Sequence, residues 1–222
     1  MNNIYSSGHT KFIDSVILKK RQEVLKIINS CIVNLDIYDA LDIGTTKDVD
    51  NKSSNFIIKN LNNIKKFKSI SDQNLNDNFF EKILKKSITK DYSSEETSTY
   101  KSDLVLSNAT IEHVGNYNNQ VQMVKNMNKL SKKVFIIITP NRYHPIDFHS
   151  KLPFIHWLPK KIHRFILKVL TFRDLSKEEN LNLLSEGDLK KIFKHSKIEK
   201  YKIFYVRLFG FKSNLIFIGK AK

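Results

Sequence analysis

Two apolar runs in this chain end abruptly in residues that can bind ligands. The first run, Asp39-Ala-Leu-Asp-Ile-Gly44, ends at Gly44, and the second, Leu104-Val-Leu-Ser-Asn108, ends at Asn108. A parallel strand that is buried on both faces reads as such a run. Ligands of open α/β sheets bind at the carboxyl ends of the strands. The two positions therefore predict the edge of a sheet at which chemistry takes place.

Acid–base chemistry at this edge would come from Glu112 and His113, which follow the second run. An imidazole has a pKa near neutral and can remove a proton from a reacting hydroxyl or amine. His113 either has this role or packs and hydrogen-bonds locally to hold the loop. For Glu112 the local structural role is favoured.

Further histidines raise the question of a metal site: His144, His149, His156 and His163. The last three are seven residues apart, a spacing that would align them on one helix face, but Pro153 and Pro159 interrupt any such helix. No cysteine or carboxylate stands at ligand spacing from them, so no metal site is predicted. We instead expect His149, alternatively together with His156, to face an acceptor pocket with Phe154 and Trp157 as its apolar wall.

Length and composition limit the fold and the location. The 222 residues, 41% of them hydrophobic, suffice for one sizeable core and are short for two. The single cysteine, Cys31, excludes an internal disulfide framework and suits a reducing compartment. No run approaches the roughly 20 apolar residues of a membrane span, and residues 1–10 do not resemble an export signal. A cytoplasmic location is expected.

Hydrophobic periodicity predicts alternating strands and helices in a single domain spanning 1–222. The predicted strands are 37–43, 67–70, 87–89, 104–107 and 134–138, followed by an antiparallel hairpin of 201–208 and 215–218. The predicted helices are 11–30 within an N-terminal helical extension (1–35), 57–64, 79–84, 121–130, 159–171 and one opened by a capping box at 185–188. The polar segment 91–102 is predicted as a surface loop, and 140–183 as an acceptor-side insertion or lid.

This order of elements resembles the fold of class I S-adenosylmethionine-dependent methyltransferases. The resemblance implies an α/β fold class: a Rossmann-like, mostly parallel seven-stranded sheet with helices on both faces and an antiparallel C-terminal hairpin. Residues 39–44 are similar to the first motif of that family, 103–114 to its fourth-strand motif and 134–141 to its fifth strand. The later blocks resemble a small bacterial branch near the methyltransferase type 11 group: Thr139-Pro-Asn-Arg-Tyr143, Phe148-His149, Leu152-Pro-Phe-Ile-His-Trp-Leu-Pro159 and Asn180-Leu-Asn-Leu-Leu184.

The resemblance implies S-adenosylmethionine as the cofactor. Asp42 and Gly44 belong to the first motif, where a glycine lets the chain pass close to the cofactor. A carboxylate after the second strand would accept both ribose hydroxyls, and Asp72 is the candidate, although a turn or a helix cap is its alternative role. By the same resemblance, Asp91 takes the adenine amino group and Asn108 lines the pocket beside the methionine moiety.

The glycine pattern after the first strand departs from that of the family. The usual Gly-x-Gly-x-Gly is here Gly44-Thr-Thr-Lys-Asp48, with a single glycine. In the branch that this chain resembles, Gly-x-Thr-x-Asp stands at this place. Thr46 and Asp48 would then replace backbone exposure with side-chain hydrogen bonds. The departure also makes a pseudo-enzyme, which keeps the fold without the cofactor, an alternative.

Positive charge suggests two further partners. The net charge of +16 is typical of proteins that bind nucleic acid, but the excess is scattered lysine, so solvated lysines are favoured over phosphate contacts. Residues 159–171 place an apolar stripe opposite basic residues, a pattern that can lie on an anionic membrane. The favoured alternative is that this stripe packs on the sheet or covers the pocket.

The sequence therefore predicts a cytoplasmic bacterial methyltransferase. It would transfer the methyl group of S-adenosylmethionine to a small-molecule or glycan-like acceptor, with His113 and His149 as catalytic residues. A basic nucleic-acid-binding protein on the same fold is the alternative from another class.

Overall fold

The predicted apolar runs form the centre of a seven-stranded sheet in the computed structural model, which describes residues 11–48 and 53–221. The strands are β1 (Asp39–Ile43), β2 (Lys66–Ser71), β3 (Lys82–Lys85), β4 (Ser102–Asn108), β5 (Ser131–Pro140), β6 (Tyr201–Leu208) and β7 (Phe211–Lys220). Their order is β3-β2-β1-β4-β5-β7-β6. The first five strands are parallel, and β7 runs antiparallel to both β5 and β6. The predicted fold class is confirmed.

Helices cover both faces of the sheet, as predicted. They are α1 (Lys11–Ile32), α2 (Phe56–Lys59), α3 (Ser94–Tyr100), α4 (Tyr117–Leu130), α5 (Lys160–Val169) and α6 (Glu186–His195). Side chains of α1 and α2 join one buried apolar cluster, and those of α3, α4 and α6 join the other. None of the described helices is both long enough and apolar enough to span a bilayer.

The central strands are apolar on both sides because each side faces a helical layer. In β4, Leu104 and Leu106 point into the cluster of α1 and α2, while Val105 points into the opposite cluster. The packing is tight at the β5–β7 pair, where Phe135 stands opposite Gly219. A Cβ atom at Gly219 would lie 2.2 Å from the Phe135 ring, so this position admits no larger residue without displacement.

The region between β2 and β4 differs from the prediction. The helix predicted over 79–84 is wrong, since its second half is strand β3, which pairs with β2. The spacing of Phe79, Phe80, Ile83 and Leu84 fits a helix locally, but pairing with the sheet edge prevails. The strand predicted over 87–89 is also wrong, because these residues lie in the loop after β3.

A helix replaces part of the predicted surface loop over 91–102. It is α3, which begins after a capping box in which Ser93 and Glu96 each accept a hydrogen bond from the other's backbone N–H. The Ser-x-x-Glu pattern was a sequence signal for this helix. By contrast, the capping box predicted at the start of α6 is confirmed, with Ser185 and Asp188 as its members. The helix predicted over 57–64 is shortened to α2.

The segment 140–183 has a small apolar cluster of its own. Leu167 of α5 packs there with Leu175, Leu181 and Leu183. The apolar stripe of α5 does not pack on the sheet, which was one half of the favoured expectation, and that it covers the acceptor pocket stays a prediction. Its side chains Phe165 and Val169 are 67% and 64% exposed, while α5 buries His163 and Leu167 instead. An amphipathic pattern marks a face that can be covered but does not specify what covers it.

Candidate functional site

Gly44 ends β1 and begins the loop that follows. Its backbone has φ of 85°, and its N–H donates to the carbonyl oxygen of Ile70 at 2.9 Å. A Cβ atom at this position would lie 2.3 Å from Oγ1 of Thr110. Thr110 Oγ1 also donates to the Ile43 carbonyl oxygen at 3.2 Å. The glycine was predicted to give room to a cofactor, and the structure adds a packing reason for it.

Asp42 lies buried beneath this loop. Thr45 Oγ1 donates to Asp42 Oδ2 at 2.5 Å, and Ser69 Oγ donates to Thr45 Oγ1 at 2.7 Å. Burial raises the pKa of Asp42 to about 6, because it outweighs the opposing effect of the hydrogen bond from Thr45. Asp42 therefore holds the base of the loop through Thr45.

Side-chain hydrogen bonds close the loop from Gly44 to Asp48. Asn55 accepts from the Thr46 N–H at 3.1 Å and donates to the Thr46 carbonyl oxygen at 2.8 Å. The Asp48 N–H donates to Thr46 Oγ1 at 3.2 Å, and Ser54 Oγ donates to Asp48 Oδ2 at 3.0 Å. Thr46 and Asp48 thus make the kind of side-chain contacts predicted for a loop with one glycine, and their role towards a cofactor stays a prediction.

The structure brings three of the predicted cofactor positions to one sheet edge. Ile43 pairs with Ile70 of β2 and with Ser107 of β4, so the residues that follow these strands share that edge. Asp72 comes directly after β2 and is exposed, and Asn108 is the half-buried last residue of β4. These two residues and Gly44 end neighbouring parallel strands.

Asp91 stands apart from this set in the chain. The loop 86–90 separates it from β3, whereas the predicted third strand, 87–89, ends two residues before it. It is exposed, and it precedes the capping box of α3. Its predicted contact with adenine remains a prediction.

The two predicted catalytic histidines meet, although they are 36 residues apart in the chain. His113 lies in a short 3₁₀ helix after β4, and His149 lies in the segment after β5. Their Nε2 atoms are 3.2 Å apart, and the ring planes are inclined by 70°. His113 Nδ1 lies 2.6 Å from the carbonyl oxygen of Asn180, and His149 Nδ1 lies 3.2 Å from Asp147 Oδ1.

Glu112 is fully buried beside this pair. Thr139 Oγ1 donates to Glu112 Oε2 at 2.9 Å, and the Asn182 N–H donates to the Glu112 carbonyl oxygen at 2.7 Å. Glu112 Oε1 is 4.0 Å from His113 Nε2 and, within 11–48 and 53–221, has no hydrogen-bond donor in reach. The local structural role favoured for Glu112 accounts for Oε2 and leaves Oε1 unexplained.

Burial and hydrogen bonding set the charges around the pair. Burial lowers the pKa of His113, and it outweighs the nearby Glu112, which raises that pKa. Burial alone would raise the pKa of Asp147, but hydrogen bonds from His149 and Ser150 hold it well below its usual range. A neutral imidazole therefore lies near an ionised carboxylate, an arrangement that can accept a proton from a bound hydroxyl or amine.

Of the other histidines considered for a metal site, His156 has a hydrogen-bond partner and His163 is buried beside it. His156 Nε2 donates to the carbonyl oxygen of His144 at 2.6 Å, and His163 is buried with its ring 6.3 Å from that of His156. Phe154 and Trp157, predicted as the apolar wall of an acceptor pocket, are 54% and 41% exposed. Side chains this exposed do not line a closed acceptor pocket.

Solved structures with the same fold were found, while no protein-family model and no curated protein matches the sequence. Magnesium protoporphyrin IX methyltransferase from Synechocystis PCC 6803, crystallised with bound SAH, matches with a TM-score of 0.56 and 13% identity over 99% of this chain and 91% of that chain. The N-methyltransferase NodS from Bradyrhizobium japonicum WM9 matches with a TM-score of 0.51 and 8% identity over 94% of this chain and 98% of that chain.

A third structure is the N-terminal domain of EvdMO1, crystallised in the presence of SAH and D-fucose. It matches with a TM-score of 0.54 and 9% identity over 91% of this chain and 83% of that chain. Identities this low speak for the fold. Together with the strand order and the two helical layers, the matches show that this chain has the class I S-adenosylmethionine-dependent methyltransferase fold.

Proposed function

We propose that this protein transfers the methyl group of S-adenosylmethionine to a small-molecule or glycan-like acceptor. The observation that carries the proposal is the match of nearly the whole chain to methyltransferases, one of which was crystallised both with SAM and with SAH. A glycan-like acceptor is supported by the neighbour crystallised in the presence of D-fucose. The small bacterial branch and a cytoplasmic location remain part of this proposal.

The cofactor would lie across the edge where β1, β2 and β4 end. Asp72 would accept the ribose hydroxyls, Asp91 would bind the adenine amino group, and Asn108 would line the methionine end. Asp42, Gly44, Thr46 and Asp48 would form the loop that passes close to the cofactor, and hydrogen bonds of Asp42, Thr46 and Asp48 support its shape.

The reaction needs positioning and a proton acceptor. The acceptor atom attacks the methyl carbon in line, the carbon–sulfur bond breaks with its electron pair staying on sulfur, and S-adenosylhomocysteine leaves. The proton of the acceptor hydroxyl or amine would pass to Nε2 of His113 or His149, because in each ring Nδ1 lies against an acceptor oxygen.

Calorimetric titration with S-adenosylhomocysteine tests the cofactor site in variants. Asp72→Asn and Asp91→Asn should weaken binding, while Asp174→Asn, an exposed aspartate of the 140–183 segment, should bind as the parent does. Unchanged binding by a folded Asp72→Asn protein would remove Asp72 from the site. His113→Gln should leave this binding intact and lower methyl transfer by about 10²–10⁴-fold with a labelled cofactor and an identified acceptor.

Nucleic-acid binding on the same fold is the second candidate, favoured by the net charge of +16. It predicts binding to RNA or DNA that falls steeply as salt is raised. Absence of binding at physiological salt would exclude it. Folded protein that binds neither nucleic acid nor the cofactor would support the pseudo-enzyme instead.

A further inference from the structure

Glu112 and the two histidines beside it bring three possible metal-ligand atoms together. A carbonyl oxygen can only accept, so the Nδ1 atom of His113, 2.6 Å from the Asn180 carbonyl oxygen, carries a hydrogen. The same holds for His149 Nδ1, which lies 3.2 Å from Asp147 Oδ1, an oxygen that also accepts from the His149 backbone N–H. When both rings are neutral, each presents a lone pair at Nε2, and these two atoms are 3.2 Å apart.

Two lone pairs at this distance repel each other unless a cation, either a proton or a metal ion, lies between them. Glu112 brings a third acceptor atom to the two nitrogens, because its buried Oε1 lies 4.0 Å from His113 Nε2. The three ligand atoms, one from each side chain, all lie within 4.8 Å of one another. Three acceptors therefore converge on one point.

The spacing fits a metal ion better than chance contact. Two nitrogen ligands at about 2.0–2.1 Å from a tetrahedral ion stand about 3.3 Å apart, close to the separation found here. The outer partners also fit, since histidine ligands usually donate their other ring N–H to a carboxylate or a backbone carbonyl. Asp147 and the Asn180 carbonyl group supply one of each.

We infer that Glu112, His113 and His149 bind a divalent transition-metal ion through one oxygen and two nitrogens. Two histidines and one carboxylate with open positions are a set used by Zn²⁺ and by Fe²⁺-type ions. Linear spacing could not predict this set, because His149 is 36 residues from His113. When bound, the ion would occupy both Nε2 atoms and so replace proton transfer to them: it would bind an oxygen of the acceptor and lower the pKa of its hydroxyl, whose proton would leave to solvent, a role that rests on the proposed function.

Titration of tag-free protein with Zn²⁺, and with Co²⁺ for its visible absorption spectrum, tests the site without cofactor or acceptor. One ion per chain should bind, and Mg²⁺ and Ca²⁺, which prefer oxygen ligands, should not compete. Asp147→Asn should weaken Zn²⁺ binding by about 10–100-fold, and His149→Gln by more. His195→Gln is the matched control, since His195 is exposed and its Nδ1 lies 2.6 Å from Tyr117 Oη.

The outcomes separate this inference from the proposed function. Loss of Zn²⁺ binding in His149→Gln, with folding and S-adenosylhomocysteine binding retained, would support the metal site. Absence of binding by folded parent protein, or equal binding by His149→Gln, would overturn it and leave a proton shared between the rings as the explanation of their contact. Binding of Zn²⁺ without binding of S-adenosylhomocysteine would support the metal site and contradict the proposed cofactor.

A second inference rests on the exposed stripe of α5. We define the α5 face as Ile162, Phe165, Val169 and Leu170, which are 48%, 67%, 64% and 45% exposed. Phe154 and Trp157, in the turn before α5, are exposed as well. Large apolar side chains that are grouped and exposed mark an interaction surface rather than ordinary surface scatter.

The charges around this face favour an anionic partner. Residues 151–173 contain no aspartate or glutamate and contain six cations: Lys151, Lys160, Lys161, Arg164, Lys168 and Arg173. A second copy of the chain, docked through the same face about a two-fold axis, would bring these cations against each other. An anionic lipid surface matches both the apolar stripe and the positive charge.

The geometry points to docking of the α5 face on an anionic membrane surface. Flotation with phosphatidylcholine vesicles, with and without phosphatidylserine, tests this docking. The parent protein should bind the anionic vesicles, and Phe165→Ser with Val169→Ser should weaken this binding at least about 10-fold. The matched control is Val33→Ser, because Val33 is 68% exposed at the end of α1.

Equal binding by the double variant and the parent would refute docking through α5, as would no binding to anionic vesicles. Concentration-dependent dimerisation of the parent that the double variant abolishes would assign the face to a second copy and overturn the membrane proposal.

Discussion

Two loops at the same edge of the sheet use their polar groups in opposite ways. The loop after β1 satisfies its own: Asp42 accepts from Thr45, and Asn55 binds both the N–H and the carbonyl group of Thr46. The loop after β4 places acceptors against acceptors, with Nε2 of His113 near both Nε2 of His149 and Oε1 of Glu112.

This difference in hydrogen bonding indicates where a ligand is needed. A loop whose polar groups are hydrogen-bonded within the protein is stable without a ligand and already has its shape when a ligand binds. A buried cluster of acceptors costs free energy until a cation or a donor arrives. We therefore expect substitutions in the first loop to change stability and those in the second to change ligand binding.

The largest effect is expected at Gly44, where a side chain would break the first loop. Gly44→Val combines a strained positive φ with a clash against Thr110 and should destabilise by about 4 kcal/mol. Thermal unfolding should show this as a Tm about 10 °C lower. Gly210→Val is the control, since Gly210 has φ of 83° but nothing within 4 Å. Equal losses at both glycines would disprove the role of Thr110.

Asp42→Asn should change how the stability contributed by the first loop depends on pH. The folded-state pKa of Asp42 is about 6, above its ordinary value of 3.8, so the folded protein holds a proton that the unfolded chain has released. Stability is therefore lost as pH rises between those values. The variant lacks this cost and should be more stable than the parent by about 2–3 kcal/mol near pH 7 and by nothing near pH 4. Urea unfolding across this range measures the difference, and a pH-independent difference would contradict it.

Thr139→Val tests the hydrogen bond that Glu112 Oε2 accepts from Thr139 Oγ1 in the second loop. The valine keeps the shape but leaves Oε2 of Glu112 without its donor, which should cost about 2 kcal/mol. Ser107→Ala is a milder control, since Ser107 donates to a backbone carbonyl oxygen that Thr110 also contacts. Chemical denaturation compares the two. A neutral Thr139→Val variant would mean that Glu112 has other donors.

Glu112→Gln should have the smallest effect on stability, and its sign is informative. The amide puts a donor where the carboxyl oxygen faces His113 Nε2, so the metal-free protein should be equally stable or up to about 1 kcal/mol more stable. Glu186→Gln should instead lose stability slightly, because Glu186 pairs with Lys190 and Lys212. Denaturant titration in the presence of a chelator measures both. A clear destabilisation by Glu112→Gln would contradict the interpretation that Glu112 Oε1 and His113 Nε2 are two acceptors facing each other.

The sequence predicted most of the sheet and less of the site. Buried strands such as β4 and β5 were predictable because a run that is apolar on both faces has few alternatives. The edge strand β3 was not, since four residues with a local helical spacing become a strand only by pairing with β2. The helix α3 could have been found from Ser93 and Glu96, whose spacing was read as part of a polar loop.

Within the site, the sequence predicted which residues follow a strand, but it did not predict which side chains lie close together. Asp72 and Asn108 were placed correctly at strand ends because the order of strands fixes them. The meeting of His149 with His113 depends on how the segment 140–183 folds back over the sheet, and no local pattern encodes that path.

The most direct test of the account is calorimetric titration of the purified protein with S-adenosylmethionine and S-adenosylhomocysteine, with ATP and NAD as controls. The account predicts saturable binding of the first two at one site per chain and none of the controls. Folded protein that binds neither sulfur compound would contradict the proposed methyltransferase function, whatever its fold.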